Sequence, residues 1–156
     1  MNRFFIALAA TAIAMTSAPA LAGADSVSLT SDVMIDKVVV ENGKEAHVLA
    51  VPQKVVPGDK LIFTTQYHNN SGKPVDSFVV TNPLPAGVAY IAEGGDSALV
   101  SVDGGKTWGT LKALTMSDGK GGRRPAQDAD VTQVRWSIPA IAPGASGSVS
   151  YHAIVR

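Results

Sequence analysis

Leu61-Ile62-Phe63-Thr64-Thr65-Gln66-Tyr67-His68 sets Leu61, Phe63, Thr65 and Tyr67 on one register against Ile62, Thr64, Gln66 and His68 on the other. Successive side chains of a strand point to opposite faces, so this alternation predicts a half-buried strand. The same period recurs at Val134, Trp136 and Ile138 among Gln133, Arg135 and Ser137, which places Trp136 in the core. It returns near the end, where Val149, Tyr151, Ala153 and Val155 alternate with Ser148, Ser150 and His152. Beyond residue 22 no amphipathic helical stripe of useful length interrupts the pattern.

Turn chemistry divides these runs at short intervals. Asn42-Gly43 stands between Val38-Val39-Val40-Glu41 and the run from Lys44. Both turn residues tolerate positive φ, so the pair predicts a tight hairpin. Pro57-Gly58 precedes the Leu61 strand, Asn69-Asn70-Ser71-Gly72 ends it, and Pro143-Gly144 precedes the last one. Asn82-Pro83-Leu84-Pro85-Ala86-Gly87 is barred from a central strand, because proline lacks a ladder donor. Strands are expected at roughly 33–40, 45–51, 60–68, 75–81, 88–92, 98–102, 131–138 and 147–155. Many short strands with frequent turns predict an all-β fold, an immunoglobulin-like β-sandwich of about seven to nine strands. The hairpin within 33–51 reads as an extra edge element, and the polar stretch 117–130 as an exposed loop.

The first 22 residues have a different character. Arg3 is followed by an apolar run from Phe4 to Met15 and a small-residue end, Ala20-Leu21-Ala22. That is the layout of a secretory signal peptide, cleaved after Ala22. The chain has no cysteine, which excludes a lipoprotein anchor and a disulfide framework, so a core must hold the fold. No other stretch approaches the ~20 apolar residues of a transmembrane helix. Removing residues 1–22 takes away a single charge, Arg3, from thirteen basic and thirteen acidic residues. A near-neutral surface offers nothing to nucleic acid or to anionic lipid. The expected organisation is a signal peptide at 1–22, an N-terminal strand or hairpin extension at 23–51 and a sandwich at 52–156.

Three separated motifs resemble one bacterial family. Val56-Pro57-Gly58-Asp59-Lys60 is followed by Tyr67-His68-Asn69-Asn70-Ser71-Gly72 and then by Val79-Val80-Thr81-Asn82-Pro83-Leu84-Pro85-Ala86-Gly87-Val88. In that order they resemble the conserved-repeat surface domain called domain of unknown function eleven. The closing Ile141-Ala142-Pro143-Gly144-Ala145 and its following strand look like that family's last elements, so the resemblance covers about residues 52–156. It implies an immunoglobulin-like sandwich on an exported or cell-envelope protein, and no particular activity. The chain departs from the family in its single copy, in Asn82 where Asp often precedes the Leu-Pro corner, and in a long insertion at 101–129.

Candidate chemistry is sparse. Ser101-Val102-Asp103-Gly104-Gly105-Lys106-Thr107-Trp108 resembles an Asp-box hairpin, in which Asp103 accepts backbone N–H groups while Trp108 packs beneath. Asp118-Gly119-Lys120-Gly121-Gly122, with Asp128 and Asp130, lacks the alternating ligands and bidentate Glu of a calcium loop. The same stretch lacks the Lys-Ser/Thr ending of a phosphate loop. Arg123-Arg124 suit a surface loop. His47, His68 and His152 lie on three separate strands and have no zinc spacing. Gly144-Ala145-Ser146-Gly147 misses the Gly-x-Ser-x-Gly spacing and introduces a strand, not a helix. No catalytic, cofactor-binding or metal-binding residue is therefore assigned, and the chain is read as a non-enzymatic exported module. Its expected partner is a protein or a glycan at the cell envelope. Two alternatives have their own sequence marks: a carbohydrate-binding module using Trp108 and the 117–130 loop, and a filament subunit donating residues 24–40 to a neighbour's sheet.

Overall fold

A computed structural model describes residues 26–41, 43–92 and 98–156. The expected signal peptide and its cleavage point lie outside the described residues, as does Asn42 of the expected tight turn. The described chain is all-β, with antiparallel sheets and no α-helix. Its strands are β1 (Val27–Glu41), β2 (Lys44–Ala50), β3 (Lys60–Asn69), β4 (Val75–Pro83), β5 (Val88–Ile91), β6 (Leu99–Ser101), β7 (Thr115–Ser117), β8 (Arg123–Pro125), β9 (Gln133–Ile141) and β10 (Ser146–Val155). One sheet has five strands in the order β2-β1-β3-β10-β5, another has three in the order β4-β9-β6, and β7 and β8 form a small third sheet.

The alternation in the sequence decides which face goes inward. Leu61 and Thr65 of β3, Tyr151 and Ala153 of β10, and Val134 and Trp136 of β9 are all buried. The apolar ones enter one core with Ile35, Val80 and Val100, so both larger sheets contribute to it. Tyr151 joins the layers. Its ring stacks on Phe63 of the neighbouring strand at 4.9 Å and lies 6.2 Å from Trp136 of the facing sheet. Burial of this kind is worth about 25 cal/mol per Å² of apolar surface and is the main favourable term in a fold without disulfides. The arrangement is consistent with a β-sandwich.

Three sequence expectations need correction. β1 begins at Val27, six residues before the expected start, and pairs with β3 from Val27↔Asn69 to Asp36↔Lys60. The first part of the 23–51 segment thus belongs to the larger sheet through its pairing with β3, with Val27 and Ile35 buried. Beyond Asp36, β1 pairs with β2 alone, from Lys37↔Val48 to Glu41↔Lys44. This outer half is the part that extends the edge. The second correction concerns residues 117–130, which hold structure: β7 and β8 form a hairpin, and Asp128–Asp130 is a 3-10 helix. Met116 and Ala126 pack against the core from this excursion, which is why the chain is ordered there.

The third correction is the reach of β9, which runs through Pro139 to Ile141. Its partner on one side, β6, stops opposite Arg135, so Pro139 has a neighbour only on the β4 side. There Ser77 stands opposite in the register with φ 54°. Pro83 closes β4, an edge strand, in keeping with the exclusion of its prolines from a central position.

Candidate functional site

Polar side chains that suggested chemistry are engaged in local structure. Asp103 follows β6 and folds back over its own turn. Its Oδ1 accepts the backbone N–H groups of Lys106 at 3.0 Å and Thr107 at 2.9 Å and the Ser101 hydroxyl at 2.8 Å. Its Oδ2 accepts the Thr107 hydroxyl at 2.7 Å. The Thr107 N–H and hydroxyl, then Ser101 and Lys106, hold the Asp103 carboxyl far below the usual carboxylate range. Gly105 completes the loop: its N–H donates to the Ser101 hydroxyl, and at φ +91° an added Cβ would sit 2.8 Å from Gln133 Oε1.

Trp108 does not pack beneath this turn as a core residue. It is half-buried, its indole N–H donates to the Gly105 carbonyl at 2.9 Å, and the Arg135 guanidinium lies 3.7 Å over its ring. Arg135 also donates to Thr81 Oγ1, so Trp108, Arg135 and Thr81 form a ladder across the outer face of the three-stranded sheet. Only Trp136 of the two tryptophans belongs to the core.

Asp118 and Asp130 of 117–130 are likewise engaged. Asp118 Oδ1 accepts the N–H groups of Lys120 and Gly122, closing the β7–β8 turn, and these bonds lower its pKa, Lys120 contributing most. Asp130 forms a bidentate pair with Arg124 at 2.6 and 2.8 Å and accepts the Gln127 N–H. The Arg124 bond is the main cause of a lowered Asp130 pKa.

His47 Nδ1 donates to Asp36 at 2.9 Å, and His68 Nδ1 shares a 2.8 Å bond with the Ser146 hydroxyl. β3 and β10 do pair, yet His68 stands opposite Ser146 and His152 opposite Ile62, so the two histidines stay apart. Among the described residues no group of three or more His, Cys, Asp or Glu is placed to hold a metal ion.

Sequence reasoning missed the polar side chain that makes the most hydrogen bonds among the described residues. Asn69, at the end of β3, is fully buried. Its Nδ2 donates to the carbonyls of Lys73, Ile141 and Ala142, and its Oδ1 accepts the Ser71 N–H and hydroxyl. It therefore locks the turn after β3 to the turn before β10. Thr65 plays a related part between sheets, sharing a hydrogen bond with Ser31 of β1 and accepting one from Asn82 of β4 at 2.8 Å. Nothing local in an Asn-Asn-Ser-Gly run marks its first residue as buried.

Two hollows accompany these groups. A cleft of about 180 Å³ between the sheets is lined by Phe63, Thr65, Asn82 and Tyr151, and is smaller than the ~300–1,000 Å³ of ordinary ligand pockets. A notch of about 400 Å³ lies where β1 leaves β3, between Lys37, Val38 and Val39 on one side and Gly58, Asp59 and Lys60 on the other.

Exposed apolar side chains concentrate elsewhere. Val38 is 54 % exposed, Val40 69 %, Leu49 53 % and Val51 67 %, all on or just after the β1–β2 hairpin. Register puts Val38 opposite His47 and Val40 opposite Glu45 on the outer face, with Val39, Ala46 and Val48 on the other. This two-stranded arm, with apolar groups on both faces, is the candidate functional site of an all-β protein built from stacked antiparallel sheets. Compared with family models, curated proteins and solved structures, the chain matches none.

Proposed function

We propose that the chain is a non-enzymatic, exported interaction module of the cell envelope, built on an immunoglobulin-like sandwich. The observation that carries the reading is the β1–β2 arm, where valines and a leucine stand in solvent on a ribbon projecting past the sheet. Exposed apolar surface gathered in one place marks an interaction site. Asp103, Asp118, Asp130, His47 and His68, which suggested other chemistry, are by contrast bonded within their turns or to the neighbouring strand. Export is supported by the Arg3, Phe4-to-Met15 and Ala20-Leu21-Ala22 pattern. The immunoglobulin-like assignment is supported by the resemblance at 52–156 and by the path of the chain, which crosses between sheets after β3, β4, β5 and β9.

The same features weigh against the alternatives. A carbohydrate platform needs a bare aromatic face, and Arg135 covers one face of Trp108. A strand donor needs a free N-terminal strand, and β1 is already paired with β3 in the same chain. Photo-crosslinking from a probe at Val48 in the exporting cell tests the proposal. Protein adducts from Val48, and none from the same probe at Lys112, are expected; no adduct from Val48 would overturn it.

A further inference from the structure

A sheet ends at edges, and each edge strand carries unpaired N–H and C=O groups that can pair with another chain unless something guards them. Among the described residues the two larger sheets have such edges on β2, β5, β4 and β6, and on β1 at Val27–Met34, which pairs with β3 alone, and beyond Asp36, which pairs with β2 alone. Three are guarded. β5 has four residues, lies against the Asp128–Asp130 helix, and has its Val88 carbonyl bound by the Arg156 guanidinium. β6 has three residues, and its outer side exchanges two hydrogen bonds between Val100 and Gly109. β4 is broken by Ser77 at positive φ and ends on Pro83. β2 differs from all of them: it has seven residues, Lys44–Ala50, with no proline and no positive φ, and is paired only with β1. The two edges of β1 are poorer templates for a second copy: Val27–Met34 carries one charged residue, Asp32, with no opposite charge to meet in a two-fold pair, and Gly58, Asp59 and Lys60 face the distal part across the notch.

Resting on the interaction reading above, we infer that β2 pairs antiparallel with β2 of a second copy, joining two five-stranded sheets into one continuous sheet about a two-fold axis at Ala46. A two-fold interface must be self-complementary, since the same patch serves both partners. Residues directly opposite in an antiparallel pair share a face. With Ala46 opposite Ala46, Glu45 of each copy meets His47 of the other, twice, on the outer face. His47 is prepared for this contact: it donates Nδ1–H to Asp36, and as the imidazolium it donates Nε2–H to the partner's Glu45 carboxylate. On the other face Lys44 lies opposite Val48, so its methylene stem covers an exposed valine. The small Ala46 side chain at the axis lets the backbones approach. Val38 and Val40 continue the outer face behind Glu45 and His47 in both copies, so the apolar strips merge across the junction.

The chain has no cysteine, so a single introduced thiol reports on one site. Light scattering on the exported protein at about 100 µM should read twice the chain mass. Mild oxidation of Ala46→Cys should convert it to a covalent dimer, whereas Lys112→Cys, exposed and remote from the arm, should stay monomeric. A one-chain mass, or an Ala46→Cys protein that cross-links no faster than Lys112→Cys, would overturn self-pairing. The Val48 photo-crosslink separates the two ideas. Adducts to another protein would leave the interaction module standing without its homodimer, and absence of any adduct would end both.

Discussion

Among the described residues, Asn69 concentrates more structure in one side chain than any acid or histidine. Five side-chain hydrogen bonds converge on it in a site closed to water, and removal of one partner from a buried set leaves donors and acceptors unpaired. Asn69→Ala should lower stability by about 2–3 kcal/mol in urea unfolding; an unchanged midpoint would mean that water takes over those bonds. The two tryptophans separate by environment. Trp136→Ala should cost roughly 3–5 kcal/mol, as for other buried aromatics. Trp108→Ala should cost less than half as much, because its ring is half-buried and leans on Arg135; equal losses in paired melts would contradict the assignment. For Asp103 the sign follows from its lowered folded pKa. Its carboxylate contributes stability that is complete above the unfolded value near 3.8 and disappears as pH falls towards the depressed folded value. Between pH 5 and pH 2 the melting temperature of Asp103→Ala should therefore fall less steeply than that of the parent. Parallel slopes would show that the turn does not depend on the charge.

At the level of elements, β3 and β10 pair over nine register positions, and one of them makes a demand on sequence that alternation does not show. Tyr67 lies directly over Gly147, and an added Cβ there would collide with the ring and hydroxyl of Tyr67. Gly147→Ala should destabilise by roughly 1–3 kcal/mol through overpacking. Gly72→Ala, with open space around it, should be close to neutral. Combining Gly147→Ala with Tyr67→Ala should cost less than the two changes added, since the clash disappears with the ring. Strict additivity in that cycle would reject the close approach. The short β7–β8 hairpin follows another logic. Three-residue strands bury little, and the hairpin persists because Asp118 closes its tip, Arg123 binds Thr115 and Met116 reaches the core.

For the whole molecule, a core without disulfides is supplemented by lowered-pKa acids at three turns: Asp103, Asp118 and Asp130. All three shifts have the same sign, so acid weakens the fold from several places at once. Among the described residues no helix is long and apolar enough to cross a membrane. Export itself is tested at the N-terminus. Intact-mass measurement on protein recovered from outside the cytoplasm should give Gly23 as the first residue, and a retained Met1 would reject cleavage after Ala22.

The sequence by itself determined the all-β character, the inward faces of β3, β9 and β10, and the tied-down Asp103 turn. Each depends on a period of two or on contacts within a few residues, and both are written in consecutive positions. The early half of β1 was legible in the same way, through Val27, Leu29, Val33 and Ile35, but Ser31 interrupts the series. That serine is on the inner register because Thr65 awaits it across the ladder, a pairing between residues 34 apart. β7 and β8 were too short to display any period. Tertiary structure alone decided that Trp108 stays out of the core, which asparagine is buried and which strand is left as an open edge. These are properties of the order in which strands meet, and pairing partners are chosen by the packing of both sheets around a shared core, not by any local run of residues.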